Sequence, residues 1–167
     1  GFGGAMVAHG LMEAGCRVLM LERGEHVHRG QHLWAPDHAV TLSPYYLTDT
    51  PYRVRGDQRG KVGGFHCVGG PSVFYGAASL RLRERDFKPH PGIHDGVDAR
   101  WPYDYAELER YYGQAESLLG VAGQEEGDPT EPPHTTPYPQ GLPSLSPTSR
   151  RIWESSRRLG LSPFRMP

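Results

Sequence analysis

The opening two dozen residues, GFGGAMVAHGLMEAGCRVLMLERG, constrain the fold of this 167-residue chain more than any other stretch. Glycines crowd the first turn, and a run with helical period follows. Ala5, Val7, Ala8, Leu11, Met12 and Ala14 fall on one half of a helical wheel; His9, Gly10 and Glu13 fall on the other. The spacing predicts a helix over residues 3–14, stopped at Gly15, where a left-handed residue suits a C-terminal cap. Arg17 to Leu21 then reads as a buried strand with Glu22 at its carboxyl end. Each part has a physical use in a dinucleotide-binding turn. Glycines let the backbone approach a pyrophosphate, and the helix start offers free N–H groups and a positive dipole end. Gly4 and Ala8 suit close packing of helix on strand, and a terminal carboxylate can accept bonds from a ribose hydroxyl.

The register of the glycines matters. Counting Gly1 as the first glycine of G-x-G-x-x-G puts Met6 at the third position, where its bulk would push helix and strand apart. Counting Gly1 as the second puts Gly4 there, and places the first strand and first glycine before residue 1. An ordinary glycine-rich turn explains the glycines alone, but not the helix, strand and acid that follow them.

Lys and Arg number 18 against 19 Asp and Glu, so the net charge of -1 argues against general affinity for nucleic acid or an anionic membrane. With 22 glycines and 16 prolines at 37% hydrophobic content, long irregular connections are expected. No apolar run is long enough to span a bilayer. Two cysteines make no disulfide framework; Cys16 is expected to be buried at the start of the strand, and a bridge to Cys67 stays open.

After Glu22, the stretch GEHVHRGQHLWAPDHAV carries His26, His28, His32 and His38. Their spacing matches no compact ligand pattern and no cysteine accompanies them, so a surface loop with solvated histidines is expected, and no metal site. Tyr52 to Arg55 alternates like a short half-exposed strand. Glycine pairs at 63–64 and 69–70 mark sharp turns or close contact with something flat. Two readings of that region stand level: Gly70-Pro-Ser72 opens a short helix against a ligand, or a glycine-rich hairpin is plugged by Phe74 and Tyr75. Asp104 with Glu107 makes a capping box, Leu108, Tyr111, Tyr112, Ala115, Leu118 and Leu119 keep helical spacing, and Gly120 ends that helix. Residues 123–144, rich in Pro, Gly, Thr and acids, read as a linker or surface connection rather than a packed element. Ser146 and Pro147 start a last helix that Gly160 closes, with Ile152, Ser156 and Leu159 on one face.

Taken in order, three motifs resemble the glucose–methanol–choline family of flavin-dependent oxidoreductases: GFGGA…LERG, VGGPSVFYGAASLRLRERDF and WPYDYAELERYYGQAESLLGVAG. The later part leans toward the bacterial sugar and alcohol dehydrogenases of that family rather than the fungal glucose oxidases. The resemblance implies an α/β, Rossmann-like FAD-binding fold, incomplete because its first strand is missing, leading into the start of a substrate-binding region. It implies an FAD-binding region over 1–122, a connection over 123–145 and a substrate-binding region beginning at 146–167. Gly1, Phe2, Gly3 and Gly4 would hold the ADP pyrophosphate and Glu22 the adenosine ribose. Gly69, Gly70 and Ser72 would lie along the isoalloxazine, with Tyr75 and Gly76 close to the ring.

Two departures stand out: Pro71 replaces a usual small or hydroxylated residue, and Tyr75 stands where an asparagine or a histidine neighbour is common. Phe74 occupies the position where some members attach FAD through a histidine, so FAD is expected to be non-covalent; His66 and Cys67 are out of register for that bond. The implied reaction is oxidation of an alcohol or sugar CH–OH group, with room for an electron-acceptor partner. None of the nine histidines takes the catalytic base role. A nicotinamide-dependent Rossmann dehydrogenase shares the opening turn, and a relict domain without chemistry is the third reading.

Overall fold

The computed structural model describes residues 1–30, 43–47, 51–53, 59–61, 63–90 and 100–167. They form two compact units, Gly1–Gly76 and Ala77–Pro167, a division that falls inside the stretch 1–122. Among the described residues the architecture is mixed α and β, with three α-helices and two small antiparallel sheets.

In the first unit, α1 spans Phe2–Glu13 with Gly1 as its N-cap, and Gly15 follows at φ 78° as expected. Residues 16–22, however, form no strand. Leu19 and Leu21 are 83% and 89% exposed, and Cys16 is an exposed free thiol rather than a buried one. A parallel strand buries its side chains only when other strands flank it and helices cover its faces. No described strand runs alongside these residues. For the same reason α1 buries only Ala8, leaving Val7, Leu11 and Met12 exposed. Gly4, expected at a close helix–strand contact, faces open space.

Beyond this lie two nested antiparallel pairs: β1 (Tyr46–Leu47) with β4 (Gly64–Phe65), and β2 (Pro51–Arg53) with β3 (Arg59–Lys61). The strand expected over 52–55 thus begins as foreseen, while Val54 and Arg55 lie outside the described residues, as do His32 and His38. Tyr46 pairs across the ladder with Phe65, rings 5.0 Å apart, and Phe65 stacks on Phe74 at 4.3 Å. Such aromatic pairs add attraction beyond their buried area.

The second unit is organised by α2, Tyr105–Leu119. Its ends are those the sequence specifies. Asp104 accepts the Glu107 N–H, Glu107 accepts the Asp104 N–H, and Gly120 closes the helix at φ 68°. Its packed face is a different one from the apolar run. Tyr105, Glu109, Gly113 and Glu116 are buried, whereas Tyr111, Leu118 and Leu119 are exposed. Residues 123–140 form an irregular, largely exposed surface connection, and specific contacts tie it to its neighbours, which the sequence reading did not foresee. Gly123 N–H donates to the Gln140 carbonyl at 2.9 Å, Thr135 bonds to Glu109, and Thr136 sits against Gly113. Helix α3, Pro147–Arg158, starts at Ser146, whose hydroxyl accepts the Ser149 N–H. It buries no residue, and Ile152 and Leu159 stay exposed. The chain end returns onto 123–145 through Arg165, which bonds to Glu126, Gln124 and the Pro143 carbonyl.

Candidate cofactor site

Within the first unit the opening turn and the second glycine pair meet, although most of the unit's sequence separates them. A Cβ placed on Gly1 would lie 3.5 Å from the Gly69 carbonyl oxygen. The Phe2 ring stands edge-on to Tyr75, centroids 5.1 Å apart. Glu22 is drawn into the same place. Its carboxylate accepts the Arg23 N–H at 2.6 Å, and its pKa lies below the ordinary carboxylate value. The Arg23 N–H is the main cause; slight desolvation opposes it, and the N–H groups of Gly69 and Gly24 add to the lowering. Glu22 therefore remains an anionic acceptor with lone pairs to spare.

The backbone that brings the two motifs together needs glycine at two places. Gly24 runs so close to His66 and Cys67 that a Cβ would collide with their main chain, and just beyond it Glu25 forms a parallel bridge to Cys67. The Val68 N–H donates to the Glu25 carbonyl at 2.9 Å. Gly69, at φ 90°, caps a 3-10 helix over Gly70–Phe74, and a side chain there would press on Val73. Ser72 is turned inward along this helix, its hydroxyl donating to the Gly69 carbonyl at 2.7 Å. Both readings of this segment thus hold in part: a short helix opens at Gly70, and Phe74 is an aromatic plug against Phe65 and Tyr45. Tyr75 is instead 43% exposed and Gly76 is exposed beside it. Cys67 is fully buried; burial pushes its thiol pKa up, which makes it a packing residue rather than a nucleophile.

At the start of α1 the N–H groups of the first turn have no helical acceptor, as at any helix start. Gly3 and Gly4 present no side chain over them, and nothing lies within 4 Å of where one would stand. A bare helix N-terminus, an anionic carboxylate and a glycine-lined turn therefore share one face of the first unit. Together they offer donors for a phosphate and an acceptor for a hydroxyl.

The second unit holds a cluster that sequence reasoning missed. Arg81, with its side chain 1% exposed, donates through Nε and Nη2 to the two oxygens of Glu116, both at 2.7 Å. Its Nη1 donates to Tyr105 Oη at 2.9 Å and Glu109 Oε1 at 3.0 Å. Burial works against its charge, but the bonds to Glu116, Tyr105 and Glu109 outweigh burial and raise its pKa further. Glu109 is held at about 2, first by the Thr135 hydroxyl and N–H and then by Arg81. The signal was present: Tyr105, Glu109, Tyr112 and Glu116 are spaced four, three and four apart, a polar stripe on one helix face.

Comparison with known proteins places these features. No family model matches the chain. It is 35% identical over its whole length to a 6'''-hydroxyparomomycin C oxidase of Streptomyces lividus, of which the match covers 30%. Over 60% of the chain it is 40% identical to a paromamine 6'-oxidase of Streptomyces fradiae, covering 17% of that protein. It is 32% identical over its whole length to the fructose dehydrogenase large subunit of Gluconobacter japonicus, covering 34% of it. These similarities support the resemblance to the glucose–methanol–choline family. The chain spans about a third or less of the length of these relatives. In this chain the two glycine motifs and Glu22 converge, and the tryptophan-led motif forms α2 together with the carboxylates that bury Arg81.

Proposed function

We propose that this chain contributes the FAD-binding part of an oxidoreductase that oxidises the CH–OH group of an alcohol or sugar. The observation that carries this reading is the convergence of Gly1, Glu22 and Gly69, which sets a bare helix N-terminus beside an anionic carboxylate. The relatives' names, oxidases of paromamine and hydroxyparomomycin C and a dehydrogenase of fructose, support a polyhydroxylated small molecule as substrate. An electron acceptor is a further partner in this reading.

The residues present fit the cofactor on two points. The first turn of α1 carries no side chain at Gly3 or Gly4 that would block a pyrophosphate, and Glu22 is anionic at neutral pH, as an acceptor for ribose hydroxyls must be. In the proposed division of labour Gly1, Phe2, Gly3 and Gly4 bind the pyrophosphate through main-chain N–H groups. Glu22 orients the ribose. Gly69, Gly70 and Ser72 line the ring system, with Ser72 locking the turn through its own bond to Gly69. Tyr75 and Gly76 complete that edge. Bound flavin would supply the acceptor for the hydride that leaves the CH–OH carbon. No residue of this chain is given the role of catalytic base.

Purified holoprotein tests the reading directly. Flavin absorption that bleaches on adding an alcohol or sugar substrate is the expected result. A colourless protein that oxidises the same substrate with a nicotinamide cofactor would replace this reading with the Rossmann dehydrogenase one.

A further inference from the structure

We propose that the small cavity beside His134 is a binding site for a single ordered water molecule, and that His134 is the residue that holds it. The site lies wholly within the second unit and is independent of the cofactor reading. The His134 side chain is 2% exposed, yet neither Nδ1 nor Nε2 has a hydrogen-bond partner among the described residues. The Glu131 carboxylate comes to 3.2 Å from Nε2 without the alignment of a hydrogen bond, and it already accepts from the Tyr138 hydroxyl. Tyr138 packs its ring against the imidazole, centroids 4.9 Å apart, and closes that side.

A neutral imidazole presents one donor and one acceptor; a protonated one presents two donors. In either state a buried nitrogen is left to be satisfied, a cost that folded proteins rarely carry. Next to the ring is a cavity of about 20 Å³, lined in part by Gln124, Asp128, Glu131, His134 and Tyr138. One water needs roughly 10–15 Å³ on this measure, so the space admits one and not a larger ligand. The charged neighbours leave little call for an ion. Arg81 is neutralised by Glu109 and Glu116, Arg83 faces Asp128 at 3.5 Å, and Arg165 is bound to Glu126. What remains unsatisfied is hydrogen bonding at the imidazole, and a neutral donor–acceptor of minimal size answers it. Such a water would tie His134 to the other polar residues of the segment 124–138, which carries most of the cavity's polar wall.

A high-resolution crystal structure of the holoprotein is the direct test. One ordered water at hydrogen-bond distance from a His134 ring nitrogen is expected. An empty cavity, a His134 ring turned to solvent, or a side chain filling the space would overturn the proposal. Two variants provide a second measure. His134→Gln keeps a donor and an acceptor and should retain most of the melting temperature, whereas His134→Leu should melt clearly lower than His134→Gln. A His134→Leu protein as stable as wild type or more so would mean that the site is dry.

Discussion

Arg81 carries a full charge into a site with almost no solvent, and it does so only because three oxygen-bearing side chains receive it. Removing one member of such a buried pair leaves the other uncompensated, which typically costs about 3–5 kcal/mol. Arg81→Met should therefore destabilise the holoprotein by that order in denaturant titrations, and a loss below about 1 kcal/mol would mean that the cluster is solvated. Glu109 makes the cluster sensitive to acid. Its folded pKa of about 2 lies below the ordinary value of about 4.3. A depressed carboxylate adds stability that is complete above the unfolded value and is lost as pH falls through the folded one. Thr135→Val removes the hydroxyl that is the largest cause of the depression, so the acid-unfolding midpoint should move to higher pH. An unchanged midpoint would remove Glu109 from the explanation. In the proposed reading Glu22 holds the ribose, so Glu22→Ala should weaken FAD binding roughly ten- to a hundredfold, measured by flavin retention after dialysis.

The elements differ in how far local sequence determines them. The ends of α2 were legible because capping is local: Asp104, Glu107 and Gly120 act on backbone groups within a turn of themselves. Asp104→Ala should cost about 1 kcal/mol of stability in a chemical melt, and a neutral result would mean that the helix start is fixed by tertiary contacts instead. The buried face of α2 was not legible, because an apolar run gives the period of a helix but not which side meets its neighbour. Here the neighbour is an arginine, so the polar stripe is the one buried. The stretch 17–21 fails as a strand for a related reason: ladder partners lie far away in sequence, and its apolar residues find none among the described residues. Likewise Pro- and Thr-rich composition foretold the irregular path of 123–140, while its packing depends on Thr135 and Thr136 meeting Glu109 and Gly113. In the candidate site the glycines and Glu22 were readable as residues, and their meeting with Gly69 was not.

At the scale of the whole molecule, the two units bury little apolar surface of their own. Val7, Met12, Leu19, Leu21, Leu159 and Leu161 are each more than half exposed, on α1, on the unpaired stretch after it and just past the end of α3, and the two helices bury almost nothing. Exposed apolar side chains of this kind favour association with other chains. Fixing irregular segments also costs about 1–2 kcal/mol of backbone entropy per residue, which only burial can offset. Residues 1–167 expressed alone should therefore bind a hydrophobic dye, aggregate with rising concentration and take up no stoichiometric FAD. A monomeric sample with sharp near-ultraviolet dichroism and tight flavin binding would refute this. The holoprotein should differ in a further, checkable way. In the proposed reading Phe74, held in the Phe65–Tyr45 cluster, takes the position where a histidine would attach FAD, so acid precipitation should release all of the flavin into the supernatant. Flavin fluorescence on the washed precipitate would contradict non-covalent binding and direct the search to His66, which stands next to the buried Cys67.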